Sequence, residues 1–203
     1  MKYFYIVILF SLFSCGYNMK NDKNGTTAFI VDTPKNGVEY IRDVRDRLKL
    51  VPLEKGFDSL QIRVWLSQGL SVAQQVIIIK RENNKWESKF IEYEPIYYNN
   101  YMYDSVLYMK SKECIVIPKT GWKSFISKLF NFEINDLSDQ TKIKNYDHPN
   151  DGGNLVVEIA TRKKYRLYTY HQPDSNNAIK EARLMSSILD LLSKELNVKL
   201  FRM

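Results

Sequence analysis

Two histidines, His148 and His171, and two cysteines, Cys15 and Cys114, are the residues of this chain with the most distinctive chemistry, and their spacing matches no catalytic or metal-binding pattern. The sequence has no HExxH, no paired CxxC and no helical His-carboxylate pair, so no metal is expected. It also has no GxSxG elbow and neither a GxGxxG nor a GxxxxGK[ST] loop, so no nucleotide or other cofactor is expected. Asp147 and His148 adjoin within "NYDHPNDGGN", which reads as a structural loop. "DGGN" at 151–154 reads as a turn, lacking the lysine and the helix start of a phosphate cradle. Cys114 lies in "ECIVIP", an apolar run that predicts a buried, unreactive thiol in a strand. A hydrolase built from dispersed carboxylates would leave no motif. The reading the sequence favours is non-enzymatic.

Two other stretches have the chemistry of a binding surface. "YEPIYYNNYMYDSVLY" holds Tyr93, Tyr97, Tyr98, Tyr101, Tyr103 and Tyr108 around an Asn99-Asn100 tip. Tyrosine joins a flat apolar face to a polar end, which suits protein, peptide or sugar surfaces. Tyr97, Tyr98, Tyr101 and Tyr103 are the candidates here. In "TRKKYRLYTY", Arg162, Lys163, Lys164 and Arg166 are expected at a hairpin tip, able to touch lipid headgroups or an acidic partner. By alternation Arg166, Tyr168 and Tyr170 share one face of the following strand.

The chain opens MKYFYIVILFSLFSCGYN. One positive charge at Lys2 and an apolar run from Tyr3 to Phe13 follow the grammar of a secretory signal, and the run is shorter than the roughly 20 residues a bilayer-spanning helix needs. Its end, Leu12-Phe13-Ser14-Cys15, resembles the lipobox of bacterial lipoproteins, with a branched apolar residue three before the cysteine and a small one directly before it. The resemblance implies diacylglyceryl transfer to Cys15, cleavage after Ser14, and a mature protein held by lipid on a membrane of the bacterial cell envelope, outside the cytoplasm. Two acyl chains anchor stably where one is marginal. Residues 1–14 are then the signal peptide, 15–27 the lipidated cysteine and a flexible Asn/Lys-rich tether, and 28–203 a single domain.

The formal charge of +7 becomes +6 once Lys2 is lost, an excess that favours solubility near anionic surfaces and does not indicate a nucleic-acid partner. With Cys15 lipidated, Cys114 has no cysteine to pair with, so the fold rests on its core.

"VEYIRDVRDRLKL" has the spacing of an amphipathic helix, and "DSLQIRVWL" alternates as a half-buried strand. "QQVIIIKRENNKWESKFIEY" reads as a hairpin turning at Asn83-Asn84, because asparagine tolerates the left-handed backbone of tight turns. "SVLYM" and "CIVIP" read as two further strands joined through Lys110–Glu113. "TGWKSFISKLFNF" carries an apolar helical stripe, "LVVEIA" and "KYRLYTY" form a second hairpin, and "NNAIKEARLMSSILDLLSKEL" a closing helix. The expected class is α+β, an antiparallel sheet built from hairpins with helices packed on one face.

These features give an envelope interaction module, anchored through Cys15 and binding an unknown envelope protein or glycan. The alternative is an envelope inhibitor or immunity protein acting against a toxin or hydrolase.

Overall fold

The computed structural model describes residues 29–34, 38–68, 73–98, 106–148 and 152–201. The signal segment, Cys15, Tyr101 and Tyr103 lie outside the described residues.

The elements follow in the order β1 (Ile30–Asp32), α1 (Val38–Arg47), β2 (Leu60–Gln68), β3 (Gln74–Glu82), β4 (Lys85–Tyr97), β5 (Val106–Ile115), α2 (Trp122–Asn131), β6 (Gly153–Thr161), β7 (Lys164–His171) and α3 (Lys180–Leu196). The strands form one seven-stranded sheet in the order β1-β7-β6-β2-β3-β4-β5. Asn83 and Asn84 both take positive φ, 49° and 61°, and close the β3–β4 hairpin as its composition predicts.

The α+β class holds, and several of the finer expectations do not. The sheet is mixed, because β1 runs parallel to β7 with Asp32 beside Arg166. The helices do not share one face. On one face Ile62, Val64, Ile77, Val157 and Tyr168 pack against Phe125 and Leu129 of α2 and Met185, Ile188 and Leu192 of α3. On the other, Trp65, Val76, Ile78 and Ile91 pack against Ile41 and Val44 of α1. An apolar stripe reports that a helix packs, and nothing in it selects the side. Third, β2 is buried on both faces, with Gln61, Arg63 and Trp65 as enclosed as their apolar neighbours, because it is the middle strand of a sheet covered on both sides.

The two short strands expected around Lys110–Glu113 are one ten-residue strand, β5. It forms the sheet edge and both its faces are largely exposed, so the polar Lys110-Ser111-Lys112-Glu113 run is tolerated within it without a turn. Exposure also overturns the expectation for Cys114, whose thiol is exposed and not buried. An apolar run predicts burial only for a strand with neighbours above and below.

Between α2 and β6 the chain wraps the apolar face. Asp139 caps Thr141 N at 3.0 Å and accepts from Thr169 N at 2.8 Å. The Tyr168 and Tyr170 hydroxyls donate to the backbone oxygens of Ile134 and Ser138. At the start of α2, Thr120 donates to Glu195 of α3 through its backbone N at 3.0 Å, and Lys128 reaches the same carboxylate at 2.8 Å. These bonds join the two helices that cover this face.

Candidate functional site

The basic run divides. Lys163 is exposed and Lys164 half-buried at the β6–β7 turn, and the exposed Arg162 donates from Nε to the Asp58 carbonyl. Arg166 is 8% exposed and is not part of a tip. It donates to Asp32 Oδ2 at 3.0 Å and to the carbonyls of Asn135 and Leu137, and lies 4.9 Å over the Tyr168 ring. Burial raises the Asp32 carboxyl, but the hydrogen bonds and charges of Arg166 and Lys142 outweigh it and leave the carboxyl below its ordinary range. Arg166 therefore fastens β1 and the 134–137 segment to the sheet. The alternation that places it with Tyr168 and Tyr170 is right, and the face it identifies is interior.

The tyrosines divide as well. Tyr93 is buried, edge-on to Trp65 at 6.3 Å. Tyr97 is half-buried at the end of β4, while Tyr98 is 71% and Tyr108 54% exposed. A register shift at Ile96/Tyr97 brings Val106 opposite Tyr97 and Tyr108 opposite Ile96, so these rings belong to one end of the β4–β5 hairpin. Asp147 and His148 are both exposed. The Asp147 backbone N donates to Asn176 Oδ1, and the His148 ring rests 5.3 Å from Tyr146. This is a loop held in place, with no acid-base contact between the two side chains. Among the described residues no group of three or more His, Cys, Asp or Glu could hold a metal ion, and no helix is long and apolar enough to cross a membrane.

Strand β5 forms the first of two sites that the chain does assemble. Its inner side pairs with β4, and among the described residues no strand pairs with its outer side. Val116 N donates to Ser88 O at 3.1 Å. In an antiparallel ladder the hydrogen-bonded positions alternate, so Ile115, Glu113, Ser111 and Met109 direct their N–H and C=O groups away from β4, to the open edge. Exposed apolar side chains accompany them: Leu107 at 58%, Ile115 at 79% and Ile117 at 68%.

The second site lies on the α1 face. Its two apolar clusters, one under α1 and one around Leu53, Ala160, Tyr165 and Leu167, share the half-buried Val156, and buried charge lies beside them. Glu158 of β6 accepts from Trp65 Nε1 at 2.7 Å and from the Tyr165 hydroxyl at 2.8 Å, and Arg63 of β2 stands 3.8 Å away. Burial and the Glu158 charge push the Tyr165 phenol far above its usual range, so it stays a donor. Arg63 is fully buried; its Nη2 donates to Val51 O at 2.7 Å, and Gln61, with its oxygen turned to the guanidinium, accepts from Nε at 3.1 Å. Nη1 makes no hydrogen bond. On the same face a pocket of about 430 Å³ has Gln61 and Arg63 in its lining alongside Leu50, Val51, Phe57, Ile78 and Ile115 of β5.

Neither Arg63 nor Glu158 is a site residue in the sequence reading. A trace of them was present: each is a single charge inside an apolar strand run, "QIRVWL" and "LVVEIA", and opposite signs at such positions suggest a buried pair. No protein-family model and no curated protein matches the chain.

Proposed function

We propose that the chain is a lipid-anchored, non-enzymatic binding module of the bacterial envelope, held through Cys15 and docking an extended segment of another envelope protein along β5. The observation that carries this reading is the open β5 edge, where outward backbone groups stand beside exposed Leu107, Ile115 and Ile117. Adding a strand to such an edge uses main-chain hydrogen bonds for affinity and alternate side chains for selectivity. A second copy of this chain fits poorly. A two-fold pairing centred on Ser111 sets Lys110 against Lys112, one centred on Lys112 sets that lysine against itself, and like charges facing each other across strands repel.

The position of the anchor agrees with this. Residues 16–28 can span at most about 45 Å, and they lead to β1, at the opposite edge of the sheet from β5. Six strand spacings separate the two edges by about 29 Å. A chain tethered at β1 therefore keeps β5 free to meet a partner. Tyr98 and Tyr108, at one end of the same hairpin, extend the surface.

Photo-crosslinking in intact cells tests the proposal. A crosslinker at Leu107 or Ser111 should trap an envelope protein, while one on the exposed side of α3, at Lys194, should not. Ser111→Pro, which removes an outward N–H and leaves the β4 ladder intact, should abolish the product. Crosslinks from Lys194 alone would refute docking at β5. Loss of a captured hydrolase's or toxin's activity would favour the inhibitor reading, in which the same edge blocks its target.

A further inference from the structure

We infer that the segment docked along β5 carries an aromatic side chain opposite Ile115, and that its ring enters the pocket on the α1 face. The inference rests on strand docking at β5 and names the residue that anchors it. One row of residues across the sheet forms part of the pocket lining. Ile115 of β5 stands opposite Lys89 of β4, Lys89 opposite Ile78 of β3, and Ile78 opposite Arg63 of β2, and all four line the pocket. The next row on the same face, Ile91, Val76 and Trp65, packs under α1. The pocket therefore reaches from the middle of the sheet to its β5 edge, beyond the rows that α1 occupies.

A strand added outside β5 lengthens each row by one residue. Ile115 directs its backbone groups outward, so the residue that pairs with it lies directly opposite, about 5 Å away, with its side chain on the same face. Aromatic and long side chains interact with neighbours about 7–8 Å away. That reach is enough to cross Ile115, which is 79% exposed, and enter the pocket behind it. The pocket's chemistry favours a ring over a charged chain. Lys80 is bound to Glu82 and Glu87, at 2.9 and 3.3 Å, and Lys89 to Glu113 at 2.9 Å, so these charges at the pocket serve one another. Leu50, Val51, Phe57, Ile78 and Ile115 supply apolar surface, and of these Val51 and Ile115 stand largely in water until a partner covers them. A large, rigid aromatic side chain seated in a pocket is a common energetic anchor of an interface.

The test uses the full-length chain in intact cells, with a diazirine analogue of lysine at Lys49, an exposed residue of the pocket lining. It should trap the same partner segment as a crosslinker at Ser111. Mass spectrometry should place the two attachment points an even number of residues apart, about four, because alternate residues share a face, and the Lys49 product should map to an aromatic residue. Val51→Trp, which fills the pocket from outside β5, should lower the Lys49 product at least tenfold and the Ser111 product severalfold. Ser111→Pro should abolish both. No Lys49 product, a different protein in it, or attachment to a segment with no aromatic residue there overturns the anchor, while a Ser111 product that Ser111→Pro removes leaves strand docking standing. A Ser111 crosslinker that traps nothing overturns docking and the anchor together. Should Val51→Trp not fold, the residue mapped from Lys49 decides alone.

Discussion

The two faces of the sheet are built from the same strands and differ in what they enclose. Beneath α2 and α3 the core is continuous and apolar, and its polar groups sit at the margins with partners, as Asp139 and Glu195 do. Beneath α1 the apolar surface falls into two clusters that share Val156, Arg63 and Glu158 are buried beside them, one guanidinium nitrogen has no acceptor, and a pocket remains open. The first face is built for stability. A second face with a buried charge pair and an uncovered stretch is harder to explain by folding alone, because apolar residues of similar volume there would often be as stable.

Truncation on the apolar face should have the largest effect. Phe125→Ala removes a fully buried ring and should lower the unfolding free energy by about 4 kcal/mol, read from urea denaturation. A loss below about 1 kcal/mol would mean that Phe125 is not packed in this core.

Glu158→Gln should cost about 3 kcal/mol, because it leaves Arg63 buried without its counter-charge. The paired change Arg63→Met with Glu158→Leu should recover most of that loss, read from urea denaturation. A double variant as unstable as the single one would show that the pair itself stabilises the fold.

The two faces also share a dependence on acid. Lys128 bonding holds the Glu195 carboxyl below its ordinary range against the opposing effect of burial. For Glu54, burial raises the carboxyl, and its own backbone together with Arg45 and Arg42 outweighs that and lowers it. Asp32 is lowered too. Carboxyls depressed in the folded state contribute fully above their unfolded values, about 4, and the contribution drains as pH falls through the folded ones. The urea midpoint should therefore vary little with these groups between pH 5 and 7 and drop below pH 4, with a shallower drop in Glu195→Gln. A midpoint that rises on acidification would contradict these pairings.

Labelling Cys114 should have the smallest effect. A maleimide should react stoichiometrically with the native chain and change stability by less than about 0.5 kcal/mol, since the thiol sits on the exposed edge. Labelling that requires denaturant would return Cys114 to the core.

Legibility in the sequence followed the same division. Hairpins closed by Asn83-Asn84 and by the β6–β7 turn, and the stripes of α2 and α3, depend on neighbours within a few residues, and local period and turn chemistry expose them. The side on which α1 packs, the parallel β1 and the double burial of β2 depend on contacts between distant segments, which no local pattern encodes. Arg166 read as surface because its partners, Asp32 and the carbonyls of Asn135 and Leu137, come from elsewhere in the chain. Cys114 read as core because an edge strand and an inner one share a composition. The open β5 edge and the Arg63 pocket both arise from sheet order, which emerges only when all seven strands have found their places.

Amide hydrogen exchange along β5 tests the central claim most directly. In the protein alone, Met109, Ser111, Glu113 and Ile115 should exchange quickly, and Lys110, Lys112 and Cys114, whose amides face β4, slowly. Adding solubilised envelope membranes should protect the first set and leave the second unchanged. Outward amides already protected in the protein alone, or still unprotected once membranes are added, would contradict strand docking at this edge.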